Sequence, residues 1–356
     1  MMRRALAEAK KGLGRTAPNP AVGAIVAKGE RVLSVGHHVR AGADHAEVAA
    51  LRPLDFSAPG ATLYCTLEPC DHVGRTGPCT EAIIKAGVKR VVIGAIDPNP
   101  RVNRRGIRRL RRAGIEVVTG VLEDECRAMN EAFEHAIVHR SPLVVLKVAS
   151  SLDGRIATSR GESQWITSEA ARKEGRQLRA SADAIVIGVD TAIADDPQLT
   201  ARIKGRPDPR RVVVDSRLRI PIGSQLVTTA KKTPTWLATT KAAPARKRLA
   251  LEKLGARIIE VKARRDGRVD VGALAHALHA LDVNGVLLEG GAAIQASFLE
   301  AEQVHKVVWF LAPMLIGGTR SALAPGAGFA TLADALRLHS VTVTPVGPDF
   351  MLVGRK

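Results

Sequence analysis

Asp44-His45-Ala46-Glu47, read together with Glu68-Pro69-Cys70 and Cys79, decides the reading of the first half of this chain. His45, Cys70 and Cys79 offer one imidazole and two thiolates. Three protein ligands with a fourth position open is the arrangement of a catalytic zinc; a structural zinc closes its tetrahedron with four. A helix starting near His45, with Asp44 as its N-cap, puts Glu47 on the first turn. From there it reaches the open position without being a ligand. Zinc lowers the pKa of a bound water from 15.7 to about 7. A neighbouring carboxylate can then carry the water proton to a ring nitrogen and a leaving amine. The bland alternative is buried, inert cysteines acting as small hydrophobes. His-x-Glu and Pro-Cys together in one short region weigh against it.

Outward from this site, residues 2–12 read as an amphipathic helix stopped by Gly14 and the turn Pro18-Asn19-Pro20. Residues 22–27 and 32–35 are short apolar strands joined by Lys28-Gly29-Glu30, and His37, His38 and Gly42 fall in the loop before the metal helix. A strand at 61–67 runs into the metal loop, and a helix at 78–86 follows, ended by Gly87. Both thiols then lie near helix or loop starts, where N–H dipoles favour a thiolate. Strands at 90–96 and 115–118 alternate with helices at 104–112 and 123–139, which makes an α/β layered domain around a mixed sheet. Cys65, on a core strand, and Cys126, on a helix, receive no role.

The boundary falls at His139-Arg140-Ser141-Pro142, because Pro142 cannot continue the helix. It gives domains 1–140 and 141–356. The second is also α/β. Strands are expected at 143–149, 184–188, 211–215, 235–238, 257–261, 285–289 and 306–311, with the last strands inside 341–353. Helices are expected at 168–180, 246–254 and 271–281 and after Gly290-Gly291. Lys147 interrupts an apolar strand and is either an edge lysine or a site cation. Glu289-Gly290-Gly291 follows a strand and opens a helix whose free N–H groups and dipole suit a phosphate, although glycine pairs also serve packing. It is not G-x-G-x-x-G, so a Rossmann domain is not expected.

A chain of 356 residues, 46% of them hydrophobic, has room for two domains with cores. The longest apolar run, 307–316, contains Pro313 and is too short to span a bilayer, and no apolar signal region follows Arg3-Arg4. With four cysteines, two of them assigned to metal, the composition suits a cytoplasmic protein with no membrane partner. The net charge of +18 fits either nucleic acid or phosphorylated small molecules. Only 3% of residues are aromatic, which disfavours a single-strand stacking platform. The dense basic cluster from Arg101 to Arg112 reads in part as a solvated face.

Zinc deaminases generally carry P-C-x-x-C; here eight residues separate Cys70 from Cys79. The run Glu68-Pro-Cys-Asp-His-Val-Gly-Arg-Thr-Gly-Pro-Cys79 resembles the long-spaced zinc loop of the bifunctional riboflavin-biosynthesis deaminase/reductase family. So do Pro18-Asn-Pro-Ala-Val-Gly23, Asp97-Pro-Asn-Pro100, Lys147-Val-Ala-Ser-Ser-Leu-Asp-Gly154, Gly161-Glu-Ser-Gln-Trp-Ile-Thr167, Ala194-Asp-Asp-Pro197 and Glu289-Gly-Gly291. They cover nearly the whole chain in the family's order.

The resemblance implies a three-layer cytidine-deaminase-like sandwich followed by a dihydrofolate-reductase-like domain, with one Zn2+ per chain and NADPH as cofactors. It implies deamination of 2,5-diamino-6-ribosylamino-4(3H)-pyrimidinone 5′-phosphate. Reduction of the ribosyl side chain of 5-amino-6-(5-phosphoribosylamino)uracil to ribityl then follows. Phosphorylated pyrimidines rather than nucleic acid are the expected partners, and a homo-oligomer, dimer or tetramer, is expected. By carry-over Glu47 is catalytic and His45, Cys70 and Cys79 bind metal. Asn19 and His38 hold the pyrimidine, and Arg75, Asp97 and Asn99 contact ribose or phosphate, although Asp-Pro-Asn-Pro alone is an ordinary turn. Lys147, Ser163, Arg179, Leu199, Arg202 and Glu289 correspond to substrate positions, Arg179 and Arg202 suiting phosphate. Ala149, Trp165, Thr191, Asp195, Ser216, Gly291, Ala292, Ala293, Ile294, Gln295, Ala296 and Ser297 correspond to cofactor positions.

Four places depart from the family pattern. Asp71 stands where serine is usual, and either residue can cap a helix. Gly77 replaces a proline, Arg104 replaces a glycine, and Ala292-Ala293 replace proline and a hydroxyl residue. A deaminase of nucleotides or tRNA fused to an unrelated domain is the competing enzyme reading. An RNA-binding protein with structural zinc is the non-enzymatic one. The long cysteine spacing and the matched second half oppose the first, and Glu47 with only three ligands opposes the second.

Overall fold

The computed structural model describes residues 1–72, 77–100, 102–322 and 328–356, and the chain divides into two units, Met1–Arg140 and Ser141–Lys356. In the first unit α1 (Met2–Lys10), β1 (Gly23–Lys28), β2 (Arg31–His37), α2 (Ala46–Leu51), β3 (Thr62–Leu67) and α3 (Cys79–Lys85) come first. They are followed by β4 (Arg90–Ala95), α4 (Arg105–Arg112), β5 (Glu116–Thr119), α5 (Glu123–Met129) and α6 (Glu131–His139).

The sheet is mixed, in the order β2-β1-β3-β4-β5. β1 runs antiparallel to β2 and β3, while β3, β4 and β5 are parallel. β1 is buried along Gly23–Ala27, which is why it reads as a continuous apolar run rather than an alternating one. Two glycines set the layers. A Cβ on Gly23 would lie 2.0 Å from the Ala5 carbonyl oxygen of α1, and one on Gly36 would lie 2.4 Å from the Ala50 nitrogen of α2. Gly36 pairs with Ala24, whose side chain points opposite to the Gly23 face. Hence α1 and α2 cover opposite faces, giving helix, sheet and helix layers.

Two local expectations are corrected. The N-cap of α2 is His45, at φ −71° and ψ 161°; Asp44 instead pairs with Arg52. The helix expected at 123–139 is broken into α5 and α6 at Asn130. Its amide reaches across to the backbone of Ala21, accepting from the Ala21 nitrogen at 2.8 Å and donating to the Ala21 oxygen at 3.0 Å. In α4, Ile107 and Leu110 are buried and Arg105, Arg108, Arg109 and Arg112 are exposed. Arg101 lies outside the described residues.

The second unit contains β6 (Leu143–Ser151), α7 (Glu169–Ser181), β7 (Ala184–Gly188), α8 (Val189–Asp195), β8 (Arg210–Val214), α9 (Gln225–Thr228), β9 (Thr235–Thr239) and α10 (Ala245–Lys253). Then come β10 (Arg257–Glu260), α11 (Val271–His279), β11 (Gly285–Leu288), α12 (Ala292–Glu300), β12 (Lys306–Ala312), β13 (His339–Val346) and β14 (Asp349–Arg355). The nine-stranded sheet runs β10-β9-β8-β7-β11-β6-β12-β14-β13, parallel except where β14 joins β12 and β13. β6 is an interior strand between β11 and β12, so Lys147 is not an edge lysine. The short helix α8 was not expected, since it follows β7 with no turn residue between. Among the described residues, no helix is long and apolar enough to cross a membrane.

Candidate active sites

The end of β3, the start of α2 and the start of α3 converge in the first unit. His45 Nδ1 lies 3.2 Å from Cys79 Sγ and 3.5 Å from Cys70 Sγ, and the two sulfurs are 3.4 Å apart. Tetrahedral bonds of about 2.0–2.3 Å to zinc require ligand separations of roughly 3.5–3.8 Å, so this triangle fits the ion with little adjustment. The donors themselves call for a cation. The Cys79 thiol and His45 draw Cys70 down to about 4, while Cys79, donating to Cys70 and buried, is pushed well up. One shared proton thus stands where a divalent cation would neutralise both thiolates. The Cys79 backbone N–H also points at Cys70 Sγ, at 3.4 Å.

Glu47 is 3% exposed, on the first turn of α2. Burial raises its pKa, opposed by the His45 charge. Together with His45 and Cys70 it lines a cavity of about 320 Å³, whose other walls include Asn19, His38, Glu68, His72, Asp97, Asn99 and Phe133. His38 Nδ1 is 2.8 Å from the Asp44 carbonyl oxygen, which can only accept. Nδ1 therefore carries the proton, and Nε2 accepts from Asn19 Nδ2 at 3.0 Å. Burial lowers the His38 pKa, which keeps the ring neutral. Asp97 accepts from the Asn99 backbone nitrogen at 2.8 Å, and burial pushes its pKa up to about 7.

The departures sit around this cavity. Asp71 is no helix cap; it accepts from Thr80 Oγ1 at 2.6 Å and pairs with Arg109 at 3.4 Å, tying the metal loop to α3 and α4. Arg104 adopts φ 58°, and its backbone nitrogen donates to Glu68 at 2.9 Å. Its side chain is exposed and is not part of the cavity wall. Gly77 has open space where a Cβ would stand. Arg75 lies outside the described residues. Sequence reasoning missed Asn130, which fixes Ala21 beside the Pro18-Asn19-Pro20 wall. Its signal was a helix-poor asparagine inside an otherwise helical run.

In the second unit, Lys147 on β6 places its ammonium 5.8 Å from the ring centroid of Phe310 on β12. Burial lowers its pKa, opposed by the charge of Glu289. Glu289, at the end of β11, holds Arg179 of α7 with both carboxylate oxygens. The Arg179 fork is therefore occupied within the protein. Arg202 is exposed at φ 53°, and its guanidinium lies 3.5 Å from Gln198 Oε1. Leu199 is buried, Ala149 is half-buried on β6, and Ser163 and Asp195 are exposed. Trp165 is 66% exposed, under the guanidinium of Arg172 at 4.5 Å, so it is not a core residue.

The helix start at α12 is held open by its neighbours. Thr191 Oγ1 accepts from the Gly291 nitrogen at 2.9 Å, and Gln295 Nε2 donates to the Gly290 oxygen at 2.7 Å. Gly290 takes φ 109°, which only glycine adopts easily. The backbone N–H groups of Ala292 and Ala293 then begin the helix, as a phosphate site requires. Ala293, Ile294 and Ser297 also form one wall of a cavity of about 360 Å³, with Ser216 on another. Ala292 and Ala296 belong to the same helix.

Residues 1–95 match the model of the cytidine and deoxycytidylate deaminase zinc-binding region, and residues 142–352 match that of the RibD C-terminal domain. The chain is 43% identical to the riboflavin biosynthesis protein RibD of Actinobacillus pleuropneumoniae, over 99% of this chain and 93% of that one. It is 38% identical to the Escherichia coli RibD, over 99% and 97%. Among solved structures, Acinetobacter baumannii RibD superposes with a TM-score of 0.85 at 38% identity, covering 99% of this chain and 97% of that one. The diaminohydroxyphosphoribosylaminopyrimidine deaminase/5-amino-6-(5-phosphoribosylamino)uracil reductase of Thermotoga maritima also gives 0.85, at 33% identity and the same coverage.

Proposed function

The chain belongs to the RibD family of bifunctional riboflavin-biosynthesis enzymes, and from that premise we propose which of its residues carry each reaction. It is a zinc-dependent deaminase and an NADPH-dependent reductase. In this reading deamination is confined to residues 1–140 and reduction to 141–356.

His45, Cys70 and Cys79 hold the zinc. When bound, zinc supplies a Lewis acid that makes water a nucleophile at neutral pH. Glu47 takes a proton from the attacking water at its carboxylate and passes it to the ring nitrogen. It then takes the proton of the hydroxyl added to the carbon and gives it to the departing amine, which leaves as ammonia while the carbonyl forms. His38, neutral and fixed by the Asp44 carbonyl, offers a ring of known tautomer to the pyrimidine. Asn19, bonded to His38 through Nδ2, keeps its Oδ1 for the substrate. Asp97 and Asn99 face the ribosyl phosphate, with Arg75 as the expected cation.

In the reductase, NADPH supplies the hydride. The α12 start binds its pyrophosphate, and Ala149, Trp165, Thr191, Asp195 and Ser216 flank it. Lys147 presents its ammonium to the sugar being reduced, balanced by Glu289, while Ser163, Leu199 and Arg202 form the rest of the substrate wall. Arg179 acts through Glu289 as a positioning residue, since its Nε and Nη2 donate to that carboxylate and its Nη1 to the Thr200 carbonyl. The substrates are phosphorylated pyrimidines, which gives the positive charge of the chain a use.

We further propose a homo-oligomer, dimer or tetramer. β13 lies at the sheet edge with Val341 and Val343 exposed, and Phe350 on β14 is exposed beside it. Such an edge invites a second copy. Four cysteines with no disulfide among them suit the cytoplasm.

The observation that carries the deaminase assignment is the His45, Cys70 and Cys79 triangle with buried Glu47 in the same cavity. Glu47→Gln tests it: zinc content by elemental analysis should stay at one per chain while ammonia release falls about 10²–10⁴-fold. Near-normal ammonia release would overturn the role of Glu47.

A further inference from the structure

The cavity beside α12 contains more charge than a pyrophosphate needs. It lies beyond the carboxyl ends of β7 and β8, the place where open parallel sheets bind ligands. Its wall opposite α12 comes from two loops, one after β8 with Ser216, Arg217 and Arg219, the other with Asp266 and Arg268. Ser216 Oγ accepts from the Val269 backbone nitrogen at 3.0 Å. That bond joins the two loops at the positions next to Arg217 and Arg268, and so brings both arginines to one rim.

The acids of this cavity are already matched. Asp190 pairs with Arg219 at 2.7 Å. Asp266 accepts from the Arg268 backbone nitrogen at 3.0 Å and lies 3.9 Å from Arg264. Arg217 and Arg268, both exposed, have no ion pair among the described residues. Two arginines without an ion pair among the described residues therefore line a cleft whose other wall is the start of a helix suited to phosphate. Recognition of a dinucleotide by its free ribose hydroxyl uses a carboxylate, and here both cavity carboxylates, Asp190 and Asp266, already lie beside arginines. A guanidinium pair suits a phosphate dianion instead, through charge-assisted bonds in a fixed fork.

We propose that Arg217 and Arg268, joined by the Ser216–Val269 bond, read the 2′-phosphate of the cofactor and set the preference for NADPH over NADH. This rests on the reading of the second unit as the reductase. Ser216 acts as the tie between the loops, and its hydroxyl hydrogen remains free to add a bond to the same phosphate.

Calorimetric titration of the full chain tests the proposal with adenosine 2′,5′-bisphosphate and adenosine 5′-monophosphate, which differ only in the 2′-phosphate, alongside NADPH and NADH. Wild type should bind the bisphosphate about 10–100-fold more tightly than the monophosphate. Its preference should weaken with added salt. In Arg217→Gln/Arg268→Gln the preference should shrink to about threefold or less, with NADH affinity kept, and Arg268→Lys should retain more of it than Arg268→Gln. Circular dichroism melting checks that the variants are folded, and either single variant serves if the double one is not. A double or single variant that discriminates as strongly as wild type overturns the proposal while leaving the reductase reading in place. Wild type that binds neither NADPH nor NADH overturns both.

Discussion

Glu289 grips Arg179 with both carboxylate oxygens, Oε1 3.0 Å from Nε and Oε2 2.6 Å from Nη2. The pair joins the end of β11 to α7, and the same carboxylate balances Lys147. Removing one partner of such a pair leaves the other as an uncompensated buried charge, which costs about 3–5 kcal/mol. The Arg179 side chain is about a quarter exposed, so Glu289→Ala should lose close to the lower figure in urea unfolding.

The same pair predicts a pH dependence. Burial pushes the Glu289 pKa up, but Arg179 and then Lys147 outweigh it, and the net shift is below the usual 4.5. A depressed carboxylate binds fewer protons in the native state than in the unfolded one. Its stabilisation is therefore complete above about 4.5 and is lost as pH falls below that value. Glu289→Gln should flatten this part of the acid limb in denaturation curves collected from pH 6 down to about 3; an unchanged limb would show that other carboxylates dominate it.

Asn130 is 3% exposed and satisfies both backbone groups of Ala21. Asn130→Ala should cost about 2–3 kcal/mol, because two buried polar groups lose their partner. Since Ala21 follows the Pro18-Asn19-Pro20 wall, the Michaelis constant for deamination should rise more than kcat falls. Steady-state kinetics of ammonia release would show the split.

Arg104 stands where the backbone favours glycine, at φ 58°. A left-handed conformation costs an ordinary residue roughly 1–2 kcal/mol, and glycine returns part of that through the greater freedom of its unfolded chain. Arg104→Gly should therefore raise stability by about 0.5–1 kcal/mol, read as an increase in the denaturant midpoint.

The cluster of His45, Cys70 and Cys79 was legible because its chemistry depends on residue type and on the short motifs around it, His45-Ala46-Glu47 and Pro69-Cys70. Most strands and helices were legible too, since buried β1 and amphipathic α4 announce their own periods. What the sequence hid is tertiary. The break at Asn130 arises from a bond to Ala21, distant in the chain, and helical propensity alone would have carried the helix through. Lys147 read from its own strand more readily as an edge lysine than as a site cation; the family resemblance pointed the other way, and the strand order puts β6 between β11 and β12. The engagement of Arg179 by Glu289 and the placing of Arg217 and Arg268 on one cavity likewise depend on which loops the sheet brings together.

Lys147→Ala should impair reduction of supplied deaminated substrate, because alanine cannot present a cation to the sugar. Ammonia release should continue at the wild-type rate, as Lys147 lies in the second unit and the zinc triangle in the first. NADPH oxidation and ammonia release, followed on the same preparation, separate the two; loss of both activities would contradict the assignment.

The most direct test of the whole account is the mass of the product formed by the purified chain from the diaminopyrimidinone ribosylamine phosphate. Without NADPH the account predicts a gain of about one mass unit, amine replaced by oxygen, and nothing further. With NADPH a second gain of about two units, hydride plus proton, should follow. A two-unit gain without cofactor, or no one-unit gain at full zinc occupancy, would contradict it.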